Sequence, residues 1–113
     1  MAKTGPNLKI NLSAVVYFED SVWLAHCLEL DIVAEGKDSD DALRSLISLC
    51  DLQINVALEE GDLEAVFRPA PADVWTLFAA GKEKSIVEKR GMRRRNGFRA
   101  PVSRFEAREM AFA

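Results

Sequence analysis

The sequence has little of what extracellular and membrane proteins usually contain. It holds only two cysteines, which excludes a cysteine-rich disulfide framework. Its apolar runs fall well short of the roughly 18 to 20 residues that a membrane span needs, and residues 1–6 lack the apolar stretch of a secretory signal. We therefore expect a cytoplasmic protein in which Cys27 and Cys50 are small buried hydrophobic residues, although the sequence leaves a disulfide between them open.

Recognisable catalytic motifs are also missing. No P-loop, dinucleotide-binding fingerprint or nucleophile elbow occurs. The single histidine, His26, precedes Cys27 in a predicted strand, where adjacent side chains point to opposite faces. This geometry disfavours both a metal site that joins the two residues to Glu29 or Asp31 and a Cys/His nucleophile pair. A structural histidine is the favoured interpretation.

Four carboxylates, on Glu35, Asp38, Asp40 and Asp41, are the other candidate for chemistry. As a cluster they suggest a magnesium site or an acid/base pair. Three of them, however, lie at a predicted helix start, where the helix dipole favours negative charge. Stabilisation of the helix therefore explains them, and we expect no catalytic residues, no metal ion and no cofactor.

Composition favours a compact domain. With 113 residues, 49% of them hydrophobic and 29% charged, the chain has room for one domain with its own core. Residues 1–81 carry 5 basic and 14 acidic residues, a balance of −9, whereas residues 82–113 carry 10 and 4, a balance of +6. This change of sign is typical of an acidic body with a basic arm.

Alternation of apolar and polar residues predicts strands at the beginning of the chain. In residues 8–18 one face is wholly apolar, and the other turns from polar to apolar at Val15 and Tyr17, where we expect it to be covered. Residues 22–27 predict the returning strand of a hairpin. A third short strand spans residues 32–35.

The period then changes to that of a helix. The helix is predicted from Asp38, a suitable N-cap, to about Glu60, with Gly61 just beyond its end. Its apolar residues form two stripes, of which one can pack on the sheet. The second stripe needs another partner and consists of Ala42, Leu49, Leu52 and Val56.

Left exposed, the second stripe would form an apolar patch of a kind that monomers rarely tolerate. We therefore predict a homo-oligomer, a dimer or a tetramer, with an interface that includes Leu49, Leu52, Val56, Trp75 and Phe78. The alternative is that a short helix after Asp73, which carries Trp75 and Phe78, covers the stripe within one chain.

The basic run of residues 89–99 is the best candidate for direct function. Arginine clusters attract phosphates and an aromatic ring can stack on a base, so a nucleic-acid-binding site would use Arg93, Arg94, Arg95 and Phe98. The alternative is an arm that lies across the acidic body of its own or a neighbouring chain. The run matches no helix-turn-helix or zinc finger.

Residues 17–46 resemble the HicB-like antitoxin family. The family pattern is a β-hairpin, a loop like P-D-L-P-G-C, a strand that ends in E-G-D-T and a helix that opens with E-E-A-L; the last three places are occupied by residues 28–31, 35–38 and 40–43. The similarity covers roughly residues 8–72. The loop lacks the family's proline and Gly-Cys, and residues 73–113 match neither DNA-binding module of the operator-binding members.

The resemblance implies a truncated ribonuclease H-like β-β-β-α-β domain without ribonuclease activity, which oligomerises and, in true antitoxins, caps a small HicA-type RNase toxin. We accordingly predict an α+β fold, in which an antiparallel sheet of three or four strands packs on one long helix in a domain of residues 1–72. The fourth strand is expected either directly after the helix or from the C-terminal segment. A short helix and a basic arm follow in residues 73–113. The expected function is non-catalytic binding of other protein chains. The alternatives are a nucleic-acid-binding module that uses the basic arm and a magnesium-dependent, RNase H-like nuclease.

Overall fold

A computed structural model describes residues 10–88 and 102–110 and shows the predicted α+β fold. The elements follow in the order β1 (Ile10–Glu19), β2 (Val22–Cys27), β3 (Ile32–Gly36), α1 (Ser39–Glu59), a 3-10 turn (Leu63–Val66), α2 (Ala72–Ala80), β4 (Lys82–Glu88) and β5 (Val102–Glu109). Three strands followed by one long helix confirm the predicted order. Within these residues, no helix is long and apolar enough to cross a membrane.

Within the described ranges the sheet has five strands, in the order β3-β2-β1-β5-β4. Neighbouring strands are antiparallel, as predicted, except that β1 and β5 run parallel. The sequence predicted three or four strands; β4 and β5 make five because both come from the segment after residue 72. Since β5 lies beside β1 in the middle of the sheet, the two parts of the chain share one sheet.

Local sequence sets both ends of α1. The Asp38 carboxylate accepts a hydrogen bond of 2.8 Å from the backbone N–H of Asp41, which is the geometry of an N-cap. After the helix, Gly61 has a φ of 72°, a left-handed conformation that glycine adopts without strain. The predicted start and end of the helix are therefore confirmed.

Gly36 positions α1 on the sheet. A Cβ atom at this residue would collide with the backbone of Asp41 and Ala42. Because glycine has no side chain, the first turn of α1 can lie directly against the end of β3. This close approach fixes the helix over β2 and β3.

The two faces of the sheet are covered by different helices. α1 packs on the face that holds Leu12 and Val16 of β1, and with Phe105 of β5 these residues belong to the main core. α2 packs on the opposite face, against Val15, with Tyr17 at the edge of that smaller cluster. The polar-to-apolar change along β1 therefore coincides with cover by α2, as the sequence predicted.

Charged groups tie the edge strand β4 to the start of α1. The Nζ atom of Lys84 lies 2.8 Å from Asp40 Oδ1 and 3.3 Å from Glu109 Oε1, and it donates a 3.1 Å hydrogen bond to Ser39 Oγ. The hydrogen bond between Lys84 and Asp40 lowers the pKa of the aspartate and raises that of the lysine. The helix-start aspartate thus serves a structural contact.

Candidate functional site

The outer surface of α1 exposes a narrow apolar row, called here the α1 stripe, made of Leu49, Leu52 and Val56. These side chains are 37%, 56% and 40% exposed. At 100° per residue they lie within 60° of one another around the helix, so they form a single line. Ala42, which the sequence placed in the same stripe, is buried in the main core instead.

No other element of the described chain covers the α1 stripe. α2, the helix that the sequence offered as an internal cover, packs on the opposite face of the sheet. The alternative of cover within one chain is therefore wrong for these residues. Trp75 and Phe78, which the sequence grouped with the stripe, lie on α2 and so on the other side of the molecule.

The charge around the α1 stripe follows a simple pattern. From Ser45 to Leu58 the only charged residue of α1 is Asp51, whereas both ends of the helix are acidic. Asp40 and Asp41 lie in the first turn, and the helix end carries Glu59, Glu60, Asp62 and Glu64. Arg44, the one basic residue of the helix, forms a 3.6 Å ion pair with Asp41. The stripe is thus a neutral apolar row whose neighbouring acidic excess lies at the end of the helix, because Lys84 and Arg44 pair with the aspartates at its start.

A cavity of about 280 Å³ opens beside α1, and no sequence pattern had indicated it. It is lined by polar and apolar groups alike: Leu30, Asp31, Ile32, Gln53, Ala65, Val66 and Arg68. Gln53 lies one helical turn from Leu49 and from Val56 on α1. The cavity and the α1 stripe therefore meet at this glutamine.

His26 is bonded to the turn beside this cavity. Its Nε2 atom lies 2.7 Å from Asp31 Oδ1, while its Nδ1 atom is buried and has no hydrogen-bond partner among the described residues. Asp31 has a φ of 54°, which aspartate tolerates better than most residues. Cys27 points to the opposite face, into the main core, as the strand geometry predicted. The histidine therefore links the end of β2 to the turn before β3.

Glu29, in the same turn, lies at the junction of the two sheet faces. Its Oε1 atom accepts a 2.7 Å hydrogen bond from the backbone N–H of Ser13 and lies 3.8 Å from Cys27 Sγ. Burial raises the pKa of this carboxyl, and the hydrogen bonds from Ser13 offset only part of that rise. Nothing in the sequence pattern had indicated this contact, because it joins residues 16 positions apart.

The two cysteines are free thiols buried in the main core. The sequence left a disulfide between Cys27 and Cys50 open; in the structure both residues are free thiols. The neighbouring Cys27 thiol, together with burial, raises the pKa of Cys50. A neutral thiol is a small apolar side chain, and both cysteines fill the core in that role.

The carboxylates at the helix start each have a structural partner. Asp38 caps α1, Asp40 pairs with Lys84, and Asp41 accepts a 2.8 Å hydrogen bond from the backbone N–H of Lys37. Glu35 is exposed on β3. Among the described residues, no group of three or more His, Cys, Asp or Glu side chains is placed to hold a metal ion.

On α2, the exposed large apolar side chain is Trp75. It is 40% exposed, and its indole Nε1–H donates a 3.1 Å hydrogen bond to the carbonyl oxygen of Ala70. Phe78 is partly buried, and the guanidinium of Arg108 lies 4.2 Å from the centre of its ring. Trp75 is therefore the part of α2 best placed to meet another chain.

Arg93, Arg94, Arg95 and Phe98 lie outside the described residues, so the predicted nucleic-acid site has no structural account. The charge of the described part is nevertheless clear. It contains 7 of the 15 Lys and Arg residues and all 18 Asp and Glu residues, a balance of −11. The body whose structure is described is thus strongly acidic.

The exposed large apolar residues of the described acidic body thus include the α1 stripe on one side of the sheet and Trp75 of α2 on the other. The α1 surface adjoins a cavity, whereas the α2 surface centres on one tryptophan. In comparisons with known proteins, no family model, no curated protein and no solved structure matches the chain.

Proposed function

We propose that the chain is a non-catalytic, homo-oligomeric binding domain of the HicB-like antitoxin kind, which neutralises a small RNase toxin of the HicA type by protein–protein contact. The observation that carries this proposal is the α1 stripe, an uncovered apolar row on a body with a net charge of −11. Uncovered apolar rows of this kind are typical of surfaces that bind other chains. A toxin that binds RNA is basic, and an acidic body complements it.

The direct test is capture of a basic protein encoded beside this chain. We expect the tagged chain, co-expressed with that neighbour, to retain it after nuclease treatment and to abolish its cleavage of RNA. Light scattering on the purified chain should give a dimer or tetramer mass, because association through the α1 stripe or Trp75 buries apolar surface. Recovery of nucleic acid alone, without a protein partner, would contradict the proposal, and a clean monomer mass would remove its oligomeric part.

A second candidate is a nucleic-acid-binding module. It is favoured by the charge partition, because the 8 Lys and Arg residues outside the described part have no acidic residue among them. Exchange of Arg93, Arg94 and Arg95 for glutamate distinguishes the two functions. Loss of salt-sensitive binding to nucleic acid would support this candidate, whereas retained capture of the toxin by the same variant would support the protein-binding domain.

A further inference from the structure

The cavity beside α1 combines two opposite charges with an apolar wall. Asp31, in the turn before β3, and Arg68, after the 3-10 turn, both line it, and Gln53 of α1 adds a neutral amide. Leu30 and Ile32 belong to the apolar part of the wall. Pockets that bind small molecules typically join an apolar wall to a few polar groups, which fix the orientation of the ligand. This lining therefore suits a small ligand that is both charged and apolar.

The polar side chains of the cavity keep unused bonding capacity. Asp31 uses its Oδ1 atom for the 2.7 Å contact with His26 Nε2, and within the described ranges its Oδ2 atom has no hydrogen-bond partner. The guanidinium of Arg68 and the amide of Gln53 form no hydrogen bond or ion pair with the rest of the described chain. Asp31 and Arg68 thus line one cavity without pairing with each other, and both charges are available to a third molecule.

The two charged residues are held in place without a ligand. The side chain of His26, which fixes one oxygen of Asp31, is only 9% exposed. The φ of 54° at Asp31 is a left-handed conformation, and such conformations persist where the surrounding structure enforces them. The backbone N–H of Arg68 donates a 3.0 Å hydrogen bond to the carbonyl oxygen of Glu29 in the same turn. Binding groups that are fixed beforehand lose little entropy when a ligand arrives.

We propose that this cavity binds a free aliphatic α-amino acid as its zwitterion. Arg68 pairs with the carboxylate of the ligand, because a guanidinium can donate two parallel hydrogen bonds to a carboxylate. Asp31 Oδ2 accepts a hydrogen bond from the ammonium group, and the aliphatic chain lies against Leu30 and Ile32. This site goes beyond the proposed function and does not depend on it.

Size and charge both favour a small zwitterion over larger or singly charged ligands. The cavity measures about 280 Å³, and since a water molecule takes roughly 30 Å³ of liquid, it holds about nine non-hydrogen atoms, the number in leucine or isoleucine. A nucleotide exceeds this space, and its phosphates would meet Asp31 on a body with a net charge of −11. Each end of a peptide offers only one of the two charges. A free amino acid satisfies both.

A series of ligands tests the proposal on the unmodified full chain by isothermal titration calorimetry. We expect saturable binding of L-leucine with a Kd below about 1 mM. L-leucinamide, which lacks the carboxylate, and N-acetyl-L-leucine, which lacks the ammonium group, should each bind at least about tenfold more weakly, since each loses a hydrogen bond between charged groups. Glycine keeps both charges but lacks the aliphatic chain, and it should also bind at least about tenfold more weakly.

Two variants assign each charge of the ligand to its partner. Arg68→Gln should weaken binding of leucine at least about tenfold and make leucine and leucinamide bind alike. Asp31→Asn should make leucine and N-acetyl-leucine bind alike, while its side-chain oxygen can still accept the hydrogen bond from His26. The matched controls Arg44→Gln and Asp73→Asn remove the same charges from exposed sites outside the cavity and should leave binding unchanged. Circular dichroism and thermal unfolding confirm that every variant is folded.

The proposal is overturned if leucine gives no saturable heat up to about 10 mM, or if Arg68→Gln binds leucine as tightly as Arg44→Gln does. Equal binding of leucine and N-acetyl-leucine by the unmodified chain also overturns it, because the cavity would then take the end of a peptide. None of these results bears on capture of the neighbouring basic protein. A chain that binds leucine but captures no protein keeps this site and loses the proposed function, and the reverse result does the opposite.

Discussion

The two faces of the sheet differ in how completely they are covered. Among the residues that the structure describes, the face under α1 contributes to a core of 16 buried residues, whereas the face under α2 contributes to a cluster of only 4. Because burial of apolar surface is the main favourable term in folding, most of the stability lies between the sheet and α1. The face under α1 thus supplies most of the hydrophobic core, whereas the face under α2 also carries polar groups.

The polar part of the α2 face is a charged row along β5. Glu106 accepts hydrogen bonds from Arg104 at 3.1 Å and from Arg108 at 3.0 Å. Arg108 also donates a 3.1 Å hydrogen bond to the carbonyl oxygen of Phe78. Arg108 therefore fastens α2 to the sheet through one hydrogen bond and a cation–π contact with Phe78, in addition to the small apolar cluster around Val15 and Val74. The contribution of each face to stability can therefore be measured by substituting a buried residue on each.

The largest effect is expected from Phe105→Ala, in the centre of the α1 face. Phe105 is 1% exposed and is the largest fully buried side chain. Its loss leaves a cavity, and we expect the free energy of unfolding to fall by about 3 to 5 kcal/mol. Urea unfolding followed by circular dichroism measures this change. A loss below about 1 kcal/mol would mean that the α1 face does not dominate stability.

A smaller effect is expected from Val74→Ala, the buried residue of α2. Val74 is 6% exposed in the cluster of 4 residues. At about 0.8 kcal/mol per buried methylene, removal of two carbon atoms should lower the free energy of unfolding by about 1.6 kcal/mol. The same urea experiment measures it. If Val74→Ala proves as costly as Phe105→Ala, the two faces contribute equally and the comparison fails.

The smallest effect concerns Glu29, where the two faces meet. Burial raises its pKa above the ordinary value of 4.5, so the folded state holds the proton more tightly than the unfolded state. The stabilisation that comes from this tighter binding of the proton is fully present below pH 4.5 and is lost as the pH rises through the raised pKa of Glu29. Glu29→Gln, which never ionises, should therefore gain thermal stability relative to the unmodified chain between pH 4 and pH 7.

Melting temperatures of both proteins at the two pH values measure the change, and the exposed Glu64→Gln controls for loss of one negative charge. A Glu29→Gln variant that is less stable at pH 7 than at pH 4, relative to the unmodified chain, would show that the hydrogen bonds from Ser13 outweigh burial of the charge.

The first half of the fold was predictable because its signals are local. Alternation in residues 8–18 and 22–27 predicted the hairpin, which the structure places at Ile10–Glu19 and Val22–Cys27, and Asp38 and Gly61 predicted the ends of α1. The exposed α1 stripe was also visible in the helical period. The sequence did not show that the α1 stripe stays uncovered, since this depends on which face of the sheet α2 occupies.

The last two strands were not predictable, for two physical reasons. β4 has Lys82, Glu83 and Lys84 at its start, and such a charged stretch gives no apolar alternation. In β5, the register with β1 shifts after Val102, so that Val102 and Phe105 are both buried although three positions separate them. This bulge breaks the period of two and produces a spacing that is equally typical of a helix. The cavity beside α1 and the Ser13–Glu29 contact arise from tertiary packing and have no local signal.

The parallel pairing of β1 with β5 has a consequence for how the chain folds. Ile10 lies beside Val102, so the centre of the sheet joins residues separated by about 90 positions. Contacts of such long range must offset a large loop-closure entropy before they stabilise anything, and proteins rich in them fold slowly. Until β5 docks, β1 keeps one edge with unpaired backbone groups, and open strand edges of this kind favour association between chains. During synthesis that edge stays open until residue 109 has emerged from the ribosome.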